Sequence, residues 1–102
     1  MSETIVTYDD QFILDLVKQD LQKWTTTAQE TSFLTTLIAV AKTEITREGV
    51  TLDLTSLDDV QTVAMYAAYL YRRRAEQTNG MPRMLRYRLN NRIFSEKAKT
   101  ED

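Results

Sequence analysis

A long helix is predicted by residues 57–77, with the sequence LDDVQTVAMYAAYLYRRRAEQ. Apolar residues recur in it at intervals of three and four, the spacing of one helix face. Ser56 precedes the segment and Asp59 follows three residues later, which resembles a capping box, although that motif prefers Glu or Gln at the second position. We expect a helix that is buried along one line: Leu57, Val60, Val63, Ala64, Ala67 and Leu70/Tyr71.

Three more helices are predicted around this one. Residues 9–24 carry an apolar stripe that ends at Trp24, and residues 29–48 carry a second stripe that ends before Gly49. Residues 82–94 begin at a proline and repeat an apolar residue every four positions. The fold class is therefore an all-α bundle of about four helices.

Domain organisation follows from length and from the few chain-breaking residues. A chain of 102 residues corresponds to one domain, which we assign to residues 1–95, with a frayed, flexible tail over residues 96–102. Residues 50–54 alternate apolar and polar side chains, so a short extended segment is possible there. A strand would need a partner, which another subunit could supply.

Charge is distributed very unevenly along the chain. Seven of the eight arginines lie between Arg72 and Arg92, where Glu76 is the single acid, so this stretch carries +6. Residues 1–60 hold 11 acids and 4 bases, a net −7. The whole chain is acidic, with a pI of about 5.1, which disfavours a dedicated nucleic-acid-binding domain.

The arginines have several interpretations. A solvated face would normally mix in lysine and glutamate, and lysine is absent from residues 72–92. Arginine suits bidentate pairing and desolvated interfaces, which favours a binding face. The acidic first half can also neutralise some of these arginines, either within a monomer or from a neighbouring subunit. Tyr66, Tyr69, Tyr71 and Tyr87 lie among them, and we favour intra-chain or interface roles for these rings over base stacking.

The sequence lacks two of the residue types that commonly carry out catalysis or bind metals. The chain contains no histidine and no cysteine. The pairs Asp9-Asp10 and Asp58-Asp59 lie at predicted helix starts, where carboxylates bind free amides. We therefore predict no catalytic residues, no cofactor and no metal site. No apolar stretch is long enough to span a membrane, and Met1–Thr4 does not resemble a signal peptide.

The order of segments resembles a known family. LIAVAKTEI at residues 37–45 leads to Gly49, VAMYAAYLYRRR at residues 63–74 ends in basic residues, and MPRMLRYRL follows at residues 81–89. Over about residues 9–92 this is similar to the head-tail connector proteins (head-completion or adaptor proteins) of long-tailed double-stranded DNA bacteriophages, of the Gram-positive siphophage type. The arginine run at residues 72–74 is denser than is usual in that family.

The resemblance implies a structural virion protein. It would dock beneath the portal protein after DNA packaging, as a ring of about a dozen copies, and provide the platform for a stopper or tail-completion protein. It would be made in the host cytoplasm and reside at the head–tail interface, and we expect a monomer when free. The residues implied to contact the portal or a neighbouring subunit are Arg83, Arg86, Arg88, Arg92 and Phe94.

The remaining arginines, Arg72, Arg73 and Arg74, close the third predicted helix. Cations there favour the helix dipole, so they are either structural or face the DNA channel, with non-specific contact to packaged DNA. The alternative function is a small DNA- or RNA-binding regulator that uses the Arg72–Arg92 face. A weaker alternative is a module that binds a partner helix. A steep salt dependence of nucleic-acid binding would favour the regulator.

Overall fold

A computed structural model describes residues 7–76 and 80–100 of the chain. It contains helices α1 (Asp10–Leu21), α2 (Ala28–Arg47), α3 (Leu57–Glu76) and α4 (Arg83–Thr100). The described residues contain no strand. The predicted all-α bundle of four helices is confirmed.

Helix α3 is the central element of the fold, because α1, α2 and α4 all pack against it. Val60, Val63, Ala64 and Ala67 are buried as predicted, whereas Leu70 and Tyr71 are only partly buried and Leu57 at the helix start is 43% exposed. Helices α1 and α2 also contact each other. The core is one apolar cluster, whose largest fully buried members are Ile13, Leu34, Ile45, Leu85, Leu89, Val17, Val50, Val60 and Val63.

Helix α1 ends earlier than the apolar pattern predicts. Gln22 adopts the left-handed conformation, with φ 58° and ψ 36°, and its amide binds back to the carbonyls of Lys18 and Gln19. The amide of Lys23 also binds the Lys18 carbonyl, at 2.8 Å. These hydrogen bonds end α1 and turn the chain away from the helix axis. Trp24, predicted to continue the buried stripe, lies instead in the connection to α2 and is 74% exposed.

Helix α2 begins and ends at local signals in the sequence. Thr27 and Glu30 form a capping box, in which each side chain accepts from the other residue's amide at 3.1 Å. The helix stops before Gly49, whose φ of 101° is unfavourable for other residues. Gly49 was predicted to end this helix, and that prediction is confirmed.

Residues 50–53 have no regular secondary structure and residue 54 begins a turn, and the segment predicted to be extended pairs with no strand among the described residues. Val50 is buried and Leu52 and Leu54 are half-buried, so the apolar alternation faces the core. Besides the turn hydrogen bond from the Ser56 amide to the Asp53 carbonyl, three of its backbone groups bind residues outside this loop. Arg92 donates to the Thr51 carbonyl, Asp59 accepts from the Asp53 amide, and the Tyr8 amide donates to the Leu54 carbonyl.

Helix α4 extends beyond its predicted end at Phe94 and reaches Thr100. Residues 96–100, predicted to be frayed, are therefore helical, whereas residues 101–102 lie outside the described part. Arg92 and Glu96 lie on the same face, separated by one helical turn, and the distance from Arg92 Nη1 to Glu96 Oε1 is 2.9 Å. Lys97 and Lys99 place positive charge in the last turn, where it favours the helix dipole.

Candidate functional site

Helix α4 has two very different faces. Leu85 and Leu89 are fully buried against the body formed by α1–α3, and Ile93 is partly buried beside them. On the opposite side Met84 is 67% exposed, Tyr87 is 59% exposed and Phe94 is 79% exposed. Successive helical residues turn by about 100°, so positions 83, 84, 87 and 94 fall on one side of the helix. We call Arg83, Met84, Tyr87 and Phe94 the α4 outer face.

The strongest polar attachment of α4 is made by Arg92. Its Nε donates to Asp59 Oδ1 at 2.9 Å and its Nη2 donates to the Thr51 carbonyl at 2.7 Å. The side chains of Arg92 and Asp59 are only 14% and 4% exposed. The hydrogen bond to Asp59 is the main reason that the pKa of Arg92 is raised. Nη1 forms an ion pair with the nearby Glu96 carboxylate, but the geometry is not that of a hydrogen bond.

Asp59 holds a central position in this network. Its other carboxylate oxygen, Oδ2, accepts from the Asp53 amide at 2.9 Å. The Ser56 hydroxyl accepts from the Asp59 amide at 3.4 Å, so only half of the capping box suggested by the sequence is formed. The Asp59 carboxylate, which would complete the box, is turned to Arg92 and to residues 50–54. Asp59 therefore joins α3, α4 and residues 50–54.

Three more arginines are paired within the chain. Arg86 binds Glu48 at 2.8 Å, Arg88 binds Asp58 at 3.0 Å and Arg72 binds Asp20 at 3.0 Å. Arg72 also donates to the Asp20 carbonyl at 2.7 Å. The three arginine side chains are between 30% and 40% exposed, and their acid partners are between 31% and 73% exposed, so the pairs are well solvated. The acidic first half of the sequence thus neutralises much of the arginine-rich half inside one subunit.

The predicted partner-binding residues therefore divide into two groups. Arg86, Arg88 and Arg92 form ion pairs with acids of their own chain. Arg83 has no ion pair among the described residues, and both Arg83 and Phe94 are exposed. Arg73 likewise has no ion pair within the described residues. Met84 was not predicted from the sequence, and Tyr87 was predicted only to have an intra-chain or interface role. Met84 and Tyr87 are three positions apart and Phe94 follows seven positions later, a helical spacing that could have identified this face.

A second group of side chains lies where the start of α2 meets the end of α3. The Phe33 and Tyr71 ring centroids are 6.1 Å apart. Arg74 lies over the Phe33 ring and Lys23 lies over the Tyr71 ring, each 5.4 Å from the centroid. Lys23 is paired with Glu30 at 3.2 Å, next to the exposed Trp24. We call Phe33, Tyr71 and Arg74, together with the exposed residues Trp24 and Arg73 that adjoin Lys23 and Arg74 in sequence, the aromatic corner.

The other tyrosines of α3 serve the core. Tyr66 and Tyr69 are 8% and 9% exposed, and their rings meet edge to face at 5.9 Å. Burial raises the pKa of the Tyr66 phenol. The predicted intra-chain role is confirmed for these two rings, whereas Tyr87 is exposed.

The Glu30→Gln variant tests the electrostatics at the start of α2. The hydrogen bond from the Thr27 amide, followed by the one from Lys23, lowers the pKa of Glu30. A carboxylate whose pKa is lower in the folded state adds stability above its unfolded pKa of about 4.3 and loses that contribution as the pH falls through the folded value. Gln retains the capping geometry but does not titrate. We expect the wild type to melt higher than Glu30→Gln at pH 7, with the gap closing below about pH 4.

Thermal melts followed by circular dichroism from pH 7 to pH 3 measure this gap. A gap that stays constant over that range would mean that Glu30 stabilises the fold by shape and not by charge.

Neither a metal site nor a membrane span is found in the part of the chain that is described. No group of three or more acidic side chains there is arranged to hold a metal ion. None of the described helices is both long enough and apolar enough to cross a bilayer. Comparison with models of protein families, with curated proteins and with solved structures gave no match.

Proposed function

We propose that this protein is a structural assembly subunit, a head-tail connector of the adaptor type found in long-tailed double-stranded DNA bacteriophages. In this role it docks as a ring beneath the portal protein and provides the platform for a stopper or tail-completion protein. The observation that carries the proposal is the α4 outer face. A helix fixed by Leu85, Leu89 and Arg92 on one side presents Met84, Tyr87 and Phe94 to solvent on the other.

The composition of this face is typical of a protein interface. Aromatic residues, methionine and arginine are enriched at interfaces, whereas lysine and glutamate are depleted. A helix whose rotation is fixed by the core holds such a face without a large ordering cost on binding. Arg83, at its edge, has no ion pair among the described residues and remains available for a carboxylate of the partner.

The pairing of charges also supports an assembly role. Arg72, Arg86, Arg88 and Arg92 are bound to acids of the same chain, which leaves a discontinuous positive surface. The alternative, a DNA- or RNA-binding regulator, would need a continuous arrangement of cations along phosphates. In the ring, moderate phosphate contact lets DNA slide through the channel.

Loss of the α4 outer face should abolish assembly. We expect the triple variant Met84→Gln, Tyr87→Gln and Phe94→Gln to fold normally, because these side chains are exposed and Gln favours helices. Removing the apolar contacts should reduce its co-sedimentation with purified siphophage portal rings to background. Val40→Gln is the matched control, since Val40 is exposed on α2, away from this face.

Sedimentation on a gradient, with circular dichroism as the check of folding, measures both results. If the wild type fails to co-sediment with portal rings and instead binds random duplex DNA tightly at physiological salt, with a steep salt dependence, the regulator becomes the better assignment.

A further inference from the structure

We propose that the aromatic corner is a second docking site, which binds an acidic segment of another protein through one apolar anchor side chain. The site is separate from the α4 outer face and does not depend on the connector assignment. A cleft of about 330 Å³ lies between the start of α2 and the end of α3, lined by Gln29, Glu30, Phe33, Tyr71 and Arg74. Its aromatic walls suit a single apolar side chain.

The charge around this cleft is positive, and two of its arginines have no ion pair among the described side chains. Arg72 is paired with Asp20, but the next two residues, Arg73 and Arg74, have no acid partner among the described residues. Both are exposed. The charge of Lys23 is neutralised by Glu30 at 3.2 Å. Two arginines therefore remain for carboxylates of a partner, which they can bind bidentately.

Trp24 directly follows Lys23, whose ammonium lies over the Tyr71 ring of the cleft, and offers a large apolar side chain there. It is 74% exposed, and the chain on both sides of it is held in place. The Lys23 amide binds the Lys18 carbonyl, and the Thr26 and Thr31 hydroxyls are 2.8 Å apart. An indole that contributes nothing to the core and sits in a fixed loop has the properties of an interface hot spot.

The chemistry of the corner favours an acidic peptide over single-stranded nucleic acid. Arg74 and Lys23 already cover one face of the Phe33 and Tyr71 rings, so those faces are closed to base stacking. Glu30 at the rim opposes a continuous run of phosphates. A peptide can place its carboxylates at Arg73 and Arg74 and present an uncharged anchor beside Glu30.

Trp24 is the only tryptophan of the chain and adjoins Lys23, so its fluorescence reports on the loop beside this cleft. The probe is a short synthetic peptide of Glu and Ser with one central Phe, titrated into the full chain. We expect a saturable blue shift of the emission and protection from acrylamide quenching. Replacing the Phe of the peptide with Ser, or each of its Glu with Lys, should remove the response.

The variant Arg73→Gln/Arg74→Gln should weaken peptide binding on the order of tenfold or more, because both carboxylate partners are lost. Arg47→Gln/Lys99→Gln makes the same change of charge at exposed positions elsewhere and should bind as the wild type does. Circular dichroism confirms that both variants fold. Three results would each overturn the proposal: no saturable shift, tighter binding of oligothymidylate than of the peptide, or a shift that grows with protein concentration alone, which would indicate a second copy in the cleft.

Discussion

Replacing Arg92 with Met is expected to destabilise the protein by about 3 kcal/mol. The Asp59 carboxylate, 4% exposed, would keep its hydrogen bond from the Asp53 amide but lose its counter-ion. Removing one partner of a buried ion pair costs about 3–5 kcal/mol, and the residual exposure of Arg92 places this pair at the lower end. The Thr51 carbonyl would also lose its donor. For a domain of this size the melting temperature should fall by about 10–25 °C.

Arg86→Met is the matched control for this prediction. It also removes an arginine of α4 from an ion pair, but that pair is 40% and 31% exposed, and such pairs contribute about 0–1 kcal/mol. Urea unfolding of both variants measures the difference. Adding Asp59→Asn to Arg92→Met should recover part of the loss, because no unpaired charge then remains buried. Equal costs for Arg92→Met and Arg86→Met would show that burial does not strengthen the Arg92–Asp59 pair.

Replacing Leu89 with Ala is expected to cost about 2–5 kcal/mol and to loosen α4 selectively. Leu89 is fully buried, and α4 is held to the body by a short apolar seam in which Leu85 is the only other fully buried residue of the described helix. Helices α1, α2 and α3 also pack on one another without α4. Because stability is not uniform across a fold, the weakened helix should open while the other three remain folded.

Amide hydrogen exchange of the Leu89→Ala variant distinguishes local opening of α4 from unfolding of the whole domain. The amides of α4 should lose protection, while those of α2 and α3 keep most of theirs. Met84→Ala is the control on the exposed side of the same helix, where substitutions change stability by about 0.5 kcal/mol or less. Uniform loss of protection over all four helices would mean that α4 and the body unfold as one unit.

Local sequence signals predicted the helices but not the contacts between them. The three- and four-residue spacing of apolar side chains located all four helices, and Gly49 marked the end of α2, because these signals act within one or two turns of the chain. The end of α1 was missed because its left-handed residue is Gln22, not glycine. Trp24 was consequently placed in the core. The end of α4 was missed because the turn beyond Phe94 carries charged and not apolar residues.

The candidate site was predicted in part for a related reason. Sequence composition identified the arginine-rich stretch and allowed that acids of the first half neutralise it. Which acid meets which arginine depends on tertiary packing, and Arg92 meets Asp59 across 33 positions of the chain. Asp59 looked like a capping residue because its helix position suited that role. The core decides which sides of α4 and of the aromatic corner stay exposed. The spacing of residues within one helix does not show which of its faces the core will cover.

The arrangement of the Arg92 contacts has a consequence for the order in which the chain folds. Arg92 binds residues 33 and 41 positions earlier in the chain, whereas most helical contacts close within four. Closing such a long loop reduces chain entropy before any contact compensates for it, so non-local contacts form late. Residues 50–56 are fixed at one side by α4, which leaves the ribosome after α1, α2 and α3. Until α4 is made, the connection between α2 and α3 lacks the Arg92 contacts to Thr51 and Asp59, and docking of α4 adds them.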